Sequence, residues 1–480
     1  MLSNLMRYST IRTAFVALLA VGLLGLTACD QTIEKTPEQD IPPDQVFSDV
    51  AGAEAALNAA YDGLQQDGVF GGFPVMAADF TADNAIFSGS FTTWNNAENF
   101  NVTAEHGPTE NTWTDHYEAI NRANLVIDNA GDVPNISDAK LNQLVGEAKF
   151  MRALLYFNLV RWFAEPYEPG AQNDQPSVIL QTSAVESTDP EFNKPRSTVD
   201  SVYTQITNDL SDAAGNLGVN DNAKRVGQAG VNALRAKVAL YQGRWDDAAS
   251  LAQDVIDTDA YSLSDAPITP YQNEQSSEIV FAVSFSSIDN TGVNDFPPSF
   301  YLPEDRGGRG DANPPSGFIE DAEAGDVRAD SSGAYNGSTL LYTDGGNVWT
   351  NKWTNPNLGD DYPVLRVAEM HLIRAEGLAR GSGSASDART HVNMVRNRAG
   401  LGDVGSDLSG QELIDEIIRQ RKYELAFEAD RRHDLQRLGR TINSGSGSVS
   451  PGDPQRILPI PQRAIDVNGA LTEESQNPGY

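Results

Sequence analysis

Apolar residues return at helical spacing over most of the chain. Ala53, Leu57, Ala60, Tyr61 and Leu64 share one face of a run that Ser48 or Asp49 can cap, and the glycines of residues 68–72 end it. Trp113, Tyr117, Ile120, Ala123, Asn124 and Ile127 form a second stripe. Val145, Ala148, Arg152, Leu155 or Tyr156, and Leu159 form a third, and Glu165-Pro166 closes it because proline cannot continue a helix. Pro195-Arg196-Ser197-Thr198 opens a fourth, with Val202, Ile206, Leu210 and Ala213 on its apolar face. A helix over residues 225–240 follows, then Gly243-Arg244-Trp245, then a second helix over 248–256. Three more helical runs fill residues 365–439, the last read as continuous over 412–439.

The helical pattern fails in two places. Residues 73–103 read as irregular and are rich in aromatic and amide side chains, among them Phe91, Trp94, Asn95, Asn96 and Asn99. A Trp beside two Asn suits a sugar: the ring stacks on the apolar face of a pyranose, and amides pair with hydroxyls in both senses. Packing of Trp94 beneath a long loop is the competing expectation. Residues 265–361 form the longer interruption, with one candidate strand over 278–283 and many aromatics, including Phe300, Tyr301, Tyr335, Tyr342, Trp349 and Trp353. An irregular insert of that length in a compact protein is usually functional.

Charge narrows the partners. The chain of 480 residues carries 34 Lys+Arg against 67 Asp+Glu, a net −33. Such an excess of acid argues against nucleic acid as a partner. Aspartate is abundant and lysine scarce, which is consistent with adaptation to high salt. At the amino terminus Arg7 and Arg12 precede an apolar run over residues 14–26, too short to span a bilayer comfortably and suited to a signal-peptide core. It leads into Leu26-Thr27-Ala28-Cys29, which resembles a bacterial lipoprotein processing box with Cys29 as the lipidated residue. Cys29 is the only cysteine, so an intrachain disulfide is excluded. The expected organisation is a signal peptide (1–28), a lipid-anchored tether (29–45), an N-terminal helical region (46–264) and a C-terminal region (265–480) that carries the insert.

Familiar catalytic patterns are missing. The five histidines have no metal-ligand spacing, and there is no H-E-x-x-H, G-x-S-x-G or phosphate-loop motif. A glycoside hydrolase needs only two well-placed carboxylates, and no pair stands out among the acids. No cofactor or metal is implied.

The polar residues of the C-terminal runs carry a pattern of their own. Arg366, Ala368, Glu369, Leu372, Ala375 and Glu376 read R-x-A-E-x-x-L-x-x-A-E; Asn393 to Leu401 read N-x-x-R-x-R-A-G-L; Glu424 to Arg437 read E-L-x-F-E-x-x-R-x-x-D-L-x-R. With Glu147-Ala148 to Phe163, Gly325-Asp326-Val327-Arg328, Lys352-Trp353, Pro459-Ile460-Pro461 and the closing Gln476-Asn477-Pro478-Gly479-Tyr480, the chain resembles the SusD/RagB family of outer-membrane nutrient-binding lipoproteins. The helix pairs about Gly243 and about residues 381–386 look like tetratricopeptide units, although long inserts break any regular array.

The resemblance implies a mainly α fold, with tetratricopeptide-like helices as scaffold and long loops bearing the ligand. It implies a cell-surface, lipid-anchored protein that captures an oligosaccharide or other oligomeric nutrient and delivers it to a SusC-like TonB-dependent transporter, without catalysis. An extracellular glycoside hydrolase and a tetratricopeptide-type adaptor are the alternatives. Trp94, Asn95, Asn96, Tyr301, Arg306 and Trp349 are the candidate ligand contacts, chosen for their chemistry and loop position. Arg366, Glu369, Glu376, Arg396, Arg398, Glu424, Glu428 and Arg432 are expected to pair between helices and hold the scaffold.

Overall fold

A computed structural model describes residues 42–480 apart from 188, 221 and 274. The signal peptide, Cys29 and most of the tether lie outside the described residues. Residues Pro43–Val46 form one helical turn.

From Phe47 onward the chain is dominated by helices. The first, α1 (Val50–Asp62), starts where Asp49 Oδ1 accepts the Gly52 N–H at 2.8 Å. The segment expected to be irregular then contains two short helices, α2 (Phe73–Phe80) and α3 (Thr92–Glu98). Every residue of α2 is buried, so it has no polar face and therefore no amphipathic period to read. The long helices α4 (Gly107–Asn129) and α5 (Asp138–Phe163) follow, then α6 (Val199–Asn216), capped by Thr198. Next come α7 (Gln228–Tyr241) and α8 (Trp245–Ile256). The C-terminal set is α9 (Val367–Arg380), α10 (Ala385–Arg398), α11 (Gly410–Glu424) and α12 (Arg431–Arg437).

Neighbours in sequence pack as pairs: α4 with α5, α5 with α6, α7 with α8, α9 with α10. The contact between α8 and α9 joins two tetratricopeptide-like pairs across the insert. Two glycines permit this. Gly243 turns α7 into α8 at φ +69°. Gly377 lets α9 approach α8 so closely that a Cβ would meet Trp245 O at 2.6 Å and Ala249 Cβ at 3.0 Å.

Strand is sparse. The candidate strand of the insert, β2 (Ile279–Val283), pairs antiparallel with β6 (Tyr362–Arg366), which leads directly into α9. Thus the two ends of the insert are tied together on the scaffold. Three other two-stranded pieces order the loops: β1 (Ile86–Phe87) with β3 (Ala312–Asn313), β4 (Leu341–Asp344) with β5 (Asn347–Thr350), and β7 (Ile442–Asn443) with β8 (Ser448–Val449).

The last helical run is not continuous. It breaks between α11 and α12, where Phe427 and Ala429 both take φ +64°. Left-handed backbone is costly at non-glycine residues and persists only when its surroundings hold it. Here the surroundings are charges. Lys352 Nζ donates to Glu424 O at 3.0 Å and Ala426 O at 2.7 Å, carbonyls that a straight helix would keep for itself. Glu428, between the two strained residues, meets Lys352 and also Arg366, whose Nε lies 2.8 Å away.

That break belongs to a buried lattice. Arg366 bridges Glu278 (2.9 Å), Glu424 (2.8 Å) and Glu428. Arg398 reaches Glu278 and Glu424, each at 2.5 Å. Burial alone would raise the Glu424 carboxyl, but Arg398, Arg366 and Arg328 hold it far below the usual carboxylate range. A second group pairs Arg421 with Asp434 and Glu369, Arg437 with Glu376, and Lys237 with Glu369 and Asp430. Arg396 reaches Glu323 and Glu416. Arg432 departs from the expected wiring: it meets no carboxylate among the described residues. Its Nη2 donates to Arg456 O at 2.8 Å and its guanidinium lies 5.0 Å from the Trp162 ring centre. The helix break turns Arg432 away from Glu428, and burial pulls its guanidinium down to about 10.

Candidate functional site

The loops of the two interruptions meet in one place. The β1–β3 ladder sets Ile86 opposite Asn313 and Phe87 opposite Ala312, and Ser88 N–H donates to Asp311 O at 2.8 Å. This brings the start of α3 beside residues 306–313. Phe91 stands at the N-cap of α3 and is 45% exposed, the largest exposed ring among the described residues. The Arg309 guanidinium lies 4.5 Å from its centre and 5.3 Å from that of Phe300. Asp311 and Asn294 hold Arg309 in that pose, the latter at 2.8 Å. One face of Phe91 is therefore covered by a cation, while the side chain remains partly open to solvent.

A second aromatic–arginine pair adjoins the first through the 306–310 turn. Arg306 stacks 4.1 Å from the Tyr335 ring centre and pairs with Asp344 at 2.5 Å. Trp349 Nε1 donates to Asp344 O at 3.2 Å, so ring and guanidinium are fixed on one hairpin residue. The hairpin turns through Gly345 and Gly346, both at positive φ (60° and 85°), as a two-residue turn of this hand requires. Gly310, at φ +66°, lies against Trp349, where a Cβ would sit 3.2 Å from the ring. Asn313 Nδ2 donates to Val348 O at 2.9 Å and joins the two clusters.

The candidates chosen from sequence fall in different layers. Arg306 and Trp349 come together around Asp344, Arg306 partly exposed and Trp349 itself buried at 6% exposed. Trp94 lies below the loop face, 5% exposed, with Phe73, Phe80, Phe87 and Phe300 around its ring at 5.3, 5.7, 6.4 and 5.0 Å. It supports Phe300, on which Arg309 rests. Asn95 Nδ2 donates to Phe91 O at 3.1 Å and so steadies the exposed ring. Asn96 is half-buried and its carbonyl accepts the Asn101 N–H at 2.8 Å. Tyr301 is deepest: its ring packs on Phe427 and its hydroxyl donates to Asp79 at 2.8 Å. Burial pushes the Asp79 carboxyl up to about 7, against the pull of Tyr301 and the Ala429 N–H.

Phe91, Arg309 and Tyr335 stand in the right segments of the sequence, but residue type does not separate them from Trp94 or Tyr301. Exposure separates Phe91 from the buried rings, and Phe91 stands just after the β1 strand that pairs with β3. The face offers one partly open ring, two guanidiniums held in place and several amides. That set can stack on a sugar ring and bond to hydroxyls. Among the described residues no group of three or more His, Cys, Asp or Glu could hold a metal, and no helix is long and apolar enough to cross a membrane.

Tetratricopeptide-like helical pairs carrying long loops are the architecture of SusD superfamily structures. The profile described as "SusD family" matches residues 324–480, and that described as "Starch-binding associating with outer membrane" matches residues 35–240. A SusD-like protein of Formosa agariphila is 27% identical over 517 aligned positions, covering 96% of this chain and 98% of that one. A SusD superfamily protein of Bacteroides vulgatus superposes with a TM-score of 0.78 at 25% identity, over 90% of this chain and all of that one. A laminarin-binding SusD-like protein superposes with a TM-score of 0.70 at 26% identity, with the same coverage. The chain belongs to the SusD/RagB family.

Proposed function

We propose that this protein captures an oligosaccharide, or another oligomeric nutrient, at the outer face of the outer membrane and hands it to a SusC-like TonB-dependent transporter. Cys29 carries the lipid anchor. Binding is the whole of its chemistry: the ligand is held and released without bond cleavage, and no cofactor takes part. The supporting observation is the loop face itself, where Phe91–Arg309 and Tyr335–Arg306–Trp349 lie side by side with amides around them. The outer-membrane association in the matched family description and the laminarin-binding neighbour support the location and the ligand class.

On this reading a pyranose stacks on the open face of Phe91 while Arg309 backs the ring. Stacking of this kind, with the guanidinium behind it, contributes about 0.5–2 kcal/mol. The full-length lipoprotein in detergent, titrated with a panel of glycans by calorimetry, tests it. Phe91→Ala and Arg309→Ala should each weaken the preferred glycan by about tenfold with little change in melting temperature. Trp94→Ala should lower the melting temperature, since it empties a buried aromatic cluster. Unchanged affinity in Phe91→Ala, Arg309→Ala and Arg306→Ala would place the site elsewhere. Release of reducing ends would show a hydrolase instead, and co-purification of a large β-barrel transporter supports the delivery step.

A further inference from the structure

A second recess lies outside the loop face, between α4, the residues Ile179, Gln181, Val185 and Phe192, and the short helix Gln462–Val467. It encloses about 320 Å³. A dry cavity of about 150 Å³ is enough to hold benzene, so this one admits a ring together with a short polar substituent. Its walls are largely apolar: Trp113 and Tyr117 lie 5.0 Å apart between ring centres, and Phe192 and Val185 also line it. Val467, at its edge, is 70% exposed.

The recess is already built. Tyr117 Oη donates to Ile179 O at 2.9 Å and accepts the Ile179 N–H at 2.8 Å. Tyr156 does the same for Gln181, and Asn121 for Val185. The strap that forms one wall is thus fastened to α4 and α5 by side chains, and its backbone groups need no ligand or water at these points. A preformed apolar pocket loses little freedom on binding.

Its rim carries two opposite charges. Arg463 is 73% exposed and Glu110 is 30% exposed, and their nearest atoms are 3.5 Å apart. At that distance and exposure the pair is loose and costs little to part. A ligand with an ammonium and a carboxylate on one carbon, and a ring beyond them, would satisfy both charges and fill the recess. We propose that this recess binds a free aromatic α-amino acid: the ring between Tyr117, Phe192 and Val467, the carboxylate on Arg463, the ammonium on Glu110. The site is separate from the glycan face and the proposal does not depend on that reading.

Calorimetry on the full-length lipoprotein in detergent, with empty micelles as control, tests it. Three probes are used: phenylalanine, 3-phenylpropionate (no ammonium) and phenethylamine (no carboxylate). Phenylalanine should bind about tenfold more tightly than either analogue, as expected when each charge contributes about 1.4 kcal/mol. Arg463→Gln should reduce phenylalanine to the level of phenethylamine and leave phenethylamine unchanged. Glu110→Gln should reduce it to the level of 3-phenylpropionate. Val467→Trp, which fills the recess from an exposed position, should abolish binding of all three. No binding of phenylalanine above the micelle control overturns the proposal. So do equal affinities for the three probes, insensitivity to the rim variants, or a concentration-dependent dimer that Val467→Trp dissociates, since that would assign the recess to a second copy. Arg463 and Val467 are largely exposed and Glu110 sits at the rim, so melting temperatures of all variants should match the parent and loss of binding can be read directly.

Discussion

At Glu428 three demands fall on one side chain. It pairs with Lys352 and Arg366 while the residues on either side hold left-handed backbone. Removing the carboxylate takes from Lys352 its ion-pair partner and leaves Arg366 with Glu278 and Glu424 alone, and an uncompensated buried charge costs about 3–5 kcal/mol. Glu428→Ala should therefore lower stability by that amount in urea titrations, and folded protein should keep its glycan affinity. Lost affinity at unchanged stability would mean that the charge lattice, not the loops, carries the ligand. Asp79 shows the opposite electrostatic sign. Its folded-state pKa is raised to about 7, so between pH 4 and 7 the folded protein binds a proton that the unfolded chain has released. By linkage, this group's contribution makes stability fall as pH rises through that window. Asp79→Asn should flatten that fall in melting curves taken from pH 4.5 to 8. At this scale the sequence was only partly informative. Glu424, Glu428, Arg366 and Arg398 announced themselves as scaffold charges by their place in a recognisable pattern. Arg432, next to the Arg431 of that pattern and four residues after Glu428, pairs with carbonyls and a ring, because the break in the helix turns it from Glu428.

At the scale of elements, long helices were legible, and short buried or strained pieces were not. The stripes over α1, α4, α5, α6, α7 and α8 each appear as helices; α1, α4, α6 and α8 keep a wet face, whereas α5 from Gly146 onward and the C-terminal half of α7 are buried on nearly every side. The helix α2 hides because it is short and wholly buried, and the break before α12 hides because Lys352 and Arg366, the cations that meet its carbonyls and Glu428, come from distant parts of the chain. Close contact between α8 and α9 depends on Gly377. A methyl there meets a backbone carbonyl at 2.6 Å, so Gly377→Ala should cost about 1–3 kcal/mol in chemical denaturation despite the higher helix propensity of alanine. A stabilised variant would show that the two pairs can slide apart without penalty.

For the whole molecule the dominant quantity is charge. A net −33 on one chain produces self-repulsion that counterions screen, with a screening length of about 30 Å at 0.01 M salt and about 3 Å at 1 M. Melting temperature should therefore rise from 10 mM to 1 M sodium chloride at pH 7, and a flat profile would sink the idea of adaptation to high salt. The internal lattice should contribute little to that dependence, since buried pairs are screened far less than exposed ones.

The sequence by itself determined the helical scaffold and the family, because both are written in local periodicity and in short, ordered motifs such as Glu424 to Arg437 and the closing Gln-Asn-Pro-Gly-Tyr. It also marked the two interruptions from which the loop face is made. Only the tertiary structure decided which side chains of those loops meet solvent. Trp94 and Tyr301 are as aromatic as Phe91 and Tyr335, yet Trp94 is buried against Phe300, Tyr301 is buried against Phe427 and Asp79, and Phe91 stays open beside the β1–β3 ladder. Burial depends on contacts between residues more than 200 positions apart, and no local pattern records them.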